Sequence, residues 1–302
     1  MTERIKGLWA MTGCCLVWGL SAIFYKALAV VGPWDVLAHR TIWSLMLFGA
    51  ILTAQGRLGA LWAILRGPQI GRIMLAALMI SLNWLLFIWS VQNGQAVQAS
   101  LGYYIFPLVA VLAGVALFGE RLWPSQWLAV AMAGLAVLVL TLGLGVTPWI
   151  SLALAVSFGA YGIVKKGLDL GPMISVAAEV ALLAPLALVW LAAGHWGWLP
   201  AGMAGALRFG DDAGVTALML ASGAMTAVPL MLFAYAARRV DLASLGLLQY
   251  LNPSLQFLVA TLVLHEEFTR WHMIAFVLIW AALAIWSRAV WRRGRQGGAL
   301  AG

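Results

Sequence analysis

Ten apolar runs, each long enough to cross a lipid bilayer, occupy almost all of this chain. They fall near residues 7–31, 35–55, 72–92, 97–118, 125–143, 148–167, 172–193, 214–236, 242–264 and 271–291. About 20 residues of helix cross the hydrocarbon layer, and only a backbone that satisfies its own N–H and C=O groups survives there. The runs therefore predict an all-α integral membrane protein with ten transmembrane helices. Composition points the same way, because 64% of the 302 residues are hydrophobic and only 9% charged. A soluble domain needs about 25% charged residues. Turn-forming clusters such as Gly32-Pro33, Arg66-Gly67-Pro68, Gln92-Asn93-Gly94, Thr147-Pro148 and Gly171-Pro172 separate the runs. The longest connector, 194–213, has a composition suited to the membrane surface.

A net charge of +8 would suggest nucleic acid if it were clustered. The basic residues sit instead in short connectors between apolar runs, so no nucleic-acid partner is expected. With the N-terminus in the cytoplasm, fourteen of the eighteen Lys and Arg residues fall on the cytoplasmic side. That bias predicts both termini inside. Arg4 and Lys6 precede the run from Gly7 to Val31, which is too long for a signal peptide and lacks a small-residue cleavage site. It reads as the first membrane helix. Cys14 and Cys15, adjacent in that run, are packing residues and make no disulfide framework.

The chain also repeats itself. Pro107 and Glu120 stand thirteen residues apart, as do Pro253 and Glu266, and the two pairs are offset by 146. Phe87 and Phe233 align at the same offset, as do the aromatics Trp89 and Tyr235, and Ser-Leu-Gly precedes both prolines at Ser100 and Ser244. Gly19 and Lys26 match Gly159 and Lys166 at an offset of 140. Two units of five spans are expected, 1–145 and 146–302, the second ending in a short basic cytoplasmic tail. Five is odd, so the second unit enters the membrane from the opposite side, an inverted repeat that gives two interchangeable states. Glu120 then lies at the cytoplasmic face and Glu266 at the external one.

Polar groups at membrane depth cost several kcal/mol when unpaired and so mark candidate sites. Pro107 and Pro253 are expected helix kinks, since each deprives a carbonyl four residues back (Tyr103, Gln249) of its donor. In the second span His39 shares a helix face with Asp35, and Arg40 lies beside it. These residues suit proton exchange or substrate charge, or else an ion pair at the external end. Glu179, flanked by alanines and valine, is a second charge candidate, with structural pairing to Lys165 or Lys166 as the alternative. Trp43, Asn83, Trp84, Tyr103, Tyr104, Tyr250 and Asn252 lie near mid-depth and suit an aromatic wall with hydrogen-bonding tips around an organic solute. Glu120-Arg121 and Glu266-Glu267 end helices where a carboxylate opposes the helix dipole, which leaves a gate contact or solvated ends as the readings. Soluble-enzyme motifs such as HExxH, GxSxG, a Walker A loop or CxxC do not occur, and Asp211-Asp212 alone does not specify a metal site.

Together these strings resemble the RarD-type permeases of the EamA branch of the drug/metabolite transporter superfamily. The resemblance rests on Trp18-Gly19, Leu37-Ala38-His39-Arg40, Ile42-Trp43-Ser44, Asn83-Trp84-Leu85, Ser100-Leu101-Gly102-Tyr103 and Gly119-Glu120-Arg121-Leu122. It continues through Ser157-Phe158-Gly159, Tyr161-Gly162, Glu179, Pro185, Pro229 and Leu245-Gly246-Leu247-Leu248-Gln249-Tyr250. It implies two EamA repeats, ten helices and a bacterial cytoplasmic-membrane location, in a family loosely associated with chloramphenicol sensitivity. Asp35 replaces the family's usual glutamate and Lys165-Lys166 its arginine-lysine, both keeping charge. The expected function is a secondary transporter that moves a small organic metabolite or drug-like solute by alternating access, with proton coupling one option. No cofactor is expected, since gradients would supply the energy. The expected partners are the solute and the bilayer, with a homo-oligomer left open. A non-transporting helper subunit and a membrane-embedded enzyme are the alternatives.

Overall fold

The computed structural model describes residues 2–119, 122–145, 148–199, 208–240 and 242–299. In chain order the helices are α1 (Glu3–Gly19), α2 (Ser21–Ala27), α3 (Pro33–Ala54), α4 (Leu58–Leu65), α5 (Ile70–Gln92), α6 (Ala96–Phe118) and α7 (Pro124–Leu144). They continue with α8 (Trp149–Lys166), α9 (Pro172–His195), α10 (Ala213–Ala221), α11 (Ala224–Ala237), α12 (Leu242–Gln249), α13 (Leu251–Leu258), a π-helical turn (Val259–Val263) and α14 (Arg270–Ala299). No strand occurs among the described residues.

Among the described residues, eight stretches are long and apolar enough to cross a membrane: α1 with α2, α3, α5, α6, α7, α9, α10 with α11, and α14. The other two expected spans are weaker, for visible reasons. α8 has 18 residues and closes on Lys165 and Lys166. The stretch 242–263 is broken into α12, α13 and the π-turn, leaving Leu251–Val263 as a shorter apolar helix. Large apolar side chains such as Leu142, Val189, Leu262 and Val277 face outward and are exposed. Such a surface needs lipid rather than water around it.

The helices pair in a pattern that repeats across the chain. α7 packs on α14 and α3 on α9; α6 packs on α8 as α13 does on α1, and α5 packs on α8 as α11 does on α1. Contacts follow suit. A Cβ on Gly19 would stand 2.5 Å from the Leu255 Cβ, and one on Gly159 would stand 3.3 Å from Val109 Cγ1. α1 and α2 part at Leu20, immediately after that tight crossing.

The proline sites differ from each other. Pro253 offers no N–H to the Gln249 carbonyl, and the helix breaks there, at Tyr250, between α12 and α13. α6 runs unbroken through Pro107. The connector between the second and third apolar runs, marked in the sequence by Arg66-Gly67-Pro68, holds the short α4. Asp211 and Asp212 serve as local caps: Arg208 N donates to Asp211 Oδ2 (2.7 Å) and Val215 N to Asp212 Oδ1 (2.8 Å). Glu120 and Arg121 lie outside the described residues.

Two positions offset by 146 residues carry a stability prediction. α6 ends on Gly119 at φ 63, and its counterpart 146 residues on is His265 at φ 53. Left-handed backbone costs an L-residue about 1–2 kcal/mol, against a smaller entropic cost for glycine. His265 is exposed, so His265→Gly is expected to stabilise by about 0.5–1 kcal/mol. A melting temperature of the purified protein below wild type would contradict it.

Candidate substrate cavity

A cavity of about 480 Å³ lies between the helices, lined from both halves of the chain. That size suits a small organic ligand. Its aromatic wall comes from Trp84 and Phe87 on α5, Tyr103 and Phe106 on α6, and Phe158 and Tyr161 on α8. The rings hold one another edge to face: Phe87–Tyr103 and Tyr103–Phe158 centroids are each 5.8 Å apart, and Phe106–Phe158 4.8 Å. Asn83 fixes this wall. Its Nδ2 donates to the Leu154 carbonyl and to Ser157 Oγ, both at 3.0 Å, while Tyr103 OH donates to its Oδ1 at 2.8 Å. With both ends of the amide used, Asn83 positions Tyr103 and ties α5 to α8.

Arg40 enters the wall from α3 and is buried, at 4% exposure. Its Nε donates to Thr226 Oγ1 at 2.8 Å and its Nη1 to Tyr25 OH at 2.7 Å. The guanidinium carbon lies 4.0 Å from the Trp84 ring centroid, a cation–π contact. Asp35 and His39 stay within electrostatic reach of each other, as their helical spacing suggested, but the Arg40 guanidinium turns to other partners. Asp35 accepts from Trp190 Nε1 at 2.7 Å, and His39 stacks on Phe209 at 4.9 Å, away from the cavity lining. Trp43 also faces Phe209, with its indole N–H buried and unpartnered.

Glu179 is fully buried behind the wall. Lys165, which does line the cavity, reaches its Oε1 at 2.6 Å and also donates to Ser175 Oγ. Ser175 Oγ donates to Oε1 and Tyr161 OH to Oε2, each at 3.2 Å. Both carboxylate oxygens are therefore engaged by protein donors.

Opposite the aromatic wall, Gln249, Tyr250, Asn252, Pro253 and Gln256 line the break between α12 and α13, and Pro107 faces the cavity from α6. Gln256 Nε2 donates to Asn252 Oδ1 at 3.1 Å, while its own Oε1 is buried without a partner. Tyr104 lies outside the lining and bonds to Ser254 Oγ at 2.6 Å, linking α6 to α13. Tyr25, Thr226, Phe106, Phe158 and Gln256 line the cavity but were not site candidates from sequence. They sit on different helices, and nothing local marks which faces meet.

The two ends of the cavity differ. Toward the α8–α9 connector it reaches Lys165, Leu170 and Pro172. At the other end, Glu266 clamps the start of α6, accepting from Ala96 N on Oε1 and Val97 N on Oε2, both at 2.8 Å. Gln92 Nε2 donates there to the carbonyls of Leu28 (3.0 Å) and Val31 (3.2 Å). Burial raises the Glu266 carboxyl above its ordinary value, opposed by those two backbone donors and by Lys26.

Comparison with known proteins fits this arrangement. The EamA-like transporter family model matches residues 5–142. The RarD protein of Streptomyces exfoliatus is 44% identical over 296 residues, covering 97% of this chain and 92% of that one. The chain belongs to the EamA-like transporter family, as a RarD-type member. A Pseudomonas aeruginosa relative named as an uncharacterized transporter shares 39% identity over 292 residues, covering 93% of each chain. Another, from Vibrio cholerae and named likewise, shares 35% over 283 residues, covering 93% of this chain and 92% of that one. A solved crystal structure with 19% identity superposes with a TM-score of 0.59 over 96% of this chain and 98% of that one, so the fold is shared. This RarD-type chain is a multi-pass membrane protein and a membrane transporter.

Proposed function

We propose that this RarD-type protein is a secondary transporter that moves a small organic solute by alternating access. Two inverted five-helix units, 1–145 and 146–302, enclose the path, in a bacterial cytoplasmic membrane with both termini inside. The observation that carries the reading is the cavity's asymmetry: it is built from both halves, clamped at the Glu266 end, and extended toward Lys165 and Pro172 at the other. Support for the repeat comes from Gly19 against Leu255 and Gly159 against Val109, because 255 minus 109 is 146, the spacing of the two prolines. Alternating access needs two such arrangements of one design. The Glu266 end closes in one arrangement and its counterpart in the other. Where protons drive the cycle, the Lys165–Glu179 pair is the exchange site, since it borders the cavity and His39 does not.

Two measurements test this. Purified protein in liposomes should take up solute, and single cysteines at Gly119 and His265 should react with impermeant thiol reagents from opposite sides of the bilayer. Both positions are exposed at helix ends, while Cys14 and Cys15 are buried and stay silent. Labelling from one side only would remove the inverted repeat.

A further inference from the structure

We propose that the solute is an organic anion and that Arg40 is its counter-ion. The inference rests on the transporter reading for the cavity's purpose, but its evidence is the charge on the wall. Lys165 is neutralised by Glu179 at 2.6 Å, whereas no ion pair reaches Arg40 among the described residues. Tyr25 and Thr226, its two hydrogen-bond partners, are both neutral. A guanidinium has five N–H donors, and these bonds use two. The cavity therefore presents one uncompensated cation inside a wall of low polarity, where an unpaired charge is costly and an entering anion is strongly attracted.

Geometry narrows the class. A planar guanidinium fork matches the two oxygens of a carboxylate, and Thr226, Tyr25 and Trp84 hold that fork still before anything binds. Room for about 480 Å³, walled by Phe106, Phe158 and Tyr103, suits an aromatic or apolar body behind the head group rather than a small inorganic ion. The unpartnered Gln256 Oε1 on the facing wall accepts a hydrogen bond from an N–H or O–H on that body. The ligand class is an amphipathic carboxylate.

The test uses matched sets of probes on purified full-length protein. Phenylacetate, phenylacetamide and phenethylamine share one body and differ in charge, as do indole-3-acetate, indole-3-acetamide and tryptamine. The carboxylates should raise the melting temperature in a saturable way, and the amides and amines should not. Arg40→Gln should weaken carboxylate binding about tenfold or more, with Arg40→Lys intermediate. The wild-type comparison stands even if a variant fails to fold. Amides or amines binding as well as the carboxylates would overturn the proposal. So would a carboxylate series without effect on wild type, equal shifts from chloride or sulfate, or undiminished carboxylate binding in Arg40→Gln. Carboxylates that bind through Arg40 but never cross liposomes would leave this site standing and remove the transporter reading. Uptake of the amides or amines would do the reverse.

Discussion

Lys165→Met is expected to cost about 3–5 kcal/mol of stability, because it strands the Glu179 carboxylate in a site with no access to water. Glu179 is 0% exposed and takes its charged partner from Lys165 at 2.6 Å. Ser175 and Tyr161 would still donate to it, but neutral donors do not replace a cation. The reverse deletion is milder. Lys165 keeps 21% of its side-chain surface exposed and lines the cavity, so in Glu179→Gln its ammonium can turn toward cavity water. The glutamine carbonyl accepts from one of Ser175 and Tyr161 and its amide N–H donates to the other hydroxyl oxygen, so the loss should be about 1–3 kcal/mol. Combining the two removes both charges and should recover most of the Lys165→Met loss, a coupling that a double-mutant cycle reads directly. Denaturation of the four proteins in one detergent supplies the numbers. Equal losses in the two single variants, or no recovery in the double, would mean that the pair is held by hydration and not by mutual burial.

The asymmetry between those two residues shows where sequence reading reaches its limit. Glu179 stood out because a lone acid among alanines in an apolar run has to be explained, and Lys165 was one of two partners within reach on the next helix. Arg40 stood out equally, but spacing did not reveal its partners. Helical spacing placed Asp35 and His39 near it, whereas its true partners, Tyr25 and Thr226, lie on α2 and α11, the latter 186 residues away. Spacing along one helix says which residues share a face; it does not say which other helix covers that face. Glu266 makes the same point in reverse. Read as the end of its own helix, its carboxylate opposes the dipole. In the fold it sits at the N-terminus of α6, where two free N–H groups and the positive end of a different dipole favour it. Eight of the ten expected spans were legible because length and hydropathy depend on composition alone, and Pro253 was legible because a missing N–H is local chemistry. The unbroken course of α6 through Pro107 was not, since the same local loss can be absorbed within a helix or can break it.

Gly223→Val should disrupt the site from outside the cavity. A Cβ on Gly223 would stand 2.5 Å from the carbonyl carbon of Trp43, 2.7 Å from its oxygen and 2.8 Å from Ser44 N. All three are backbone atoms of α3, so no side chain can swing aside. Carbon atoms rest about 3.5–4.0 Å apart, and the two helices must therefore separate by about 1 Å or more. Overpacking of this kind costs about 1–3 kcal/mol. One turn along the same crossing, Arg40 Nε meets Thr226 Oγ1 at 2.8 Å, and Ser44 Oγ reaches the Gly223 carbonyl at 3.4 Å. Separation stretches both, and the Arg40 guanidinium loses the anchor that aims it into the cavity. Gly223→Ala should show a smaller version of the same two effects, a lower melting temperature and weaker binding of the carboxylate probes. Gly49→Ala is the control, because it lies on α3 with nothing within 4 Å of the added carbon. There alanine's helix preference should leave stability unchanged or raise it by up to about 1 kcal/mol. If Gly223→Ala melts with wild type while Gly49→Ala behaves as stated, α3 and α11 are not in backbone contact at this crossing, and the account of how Arg40 is held would have to be abandoned.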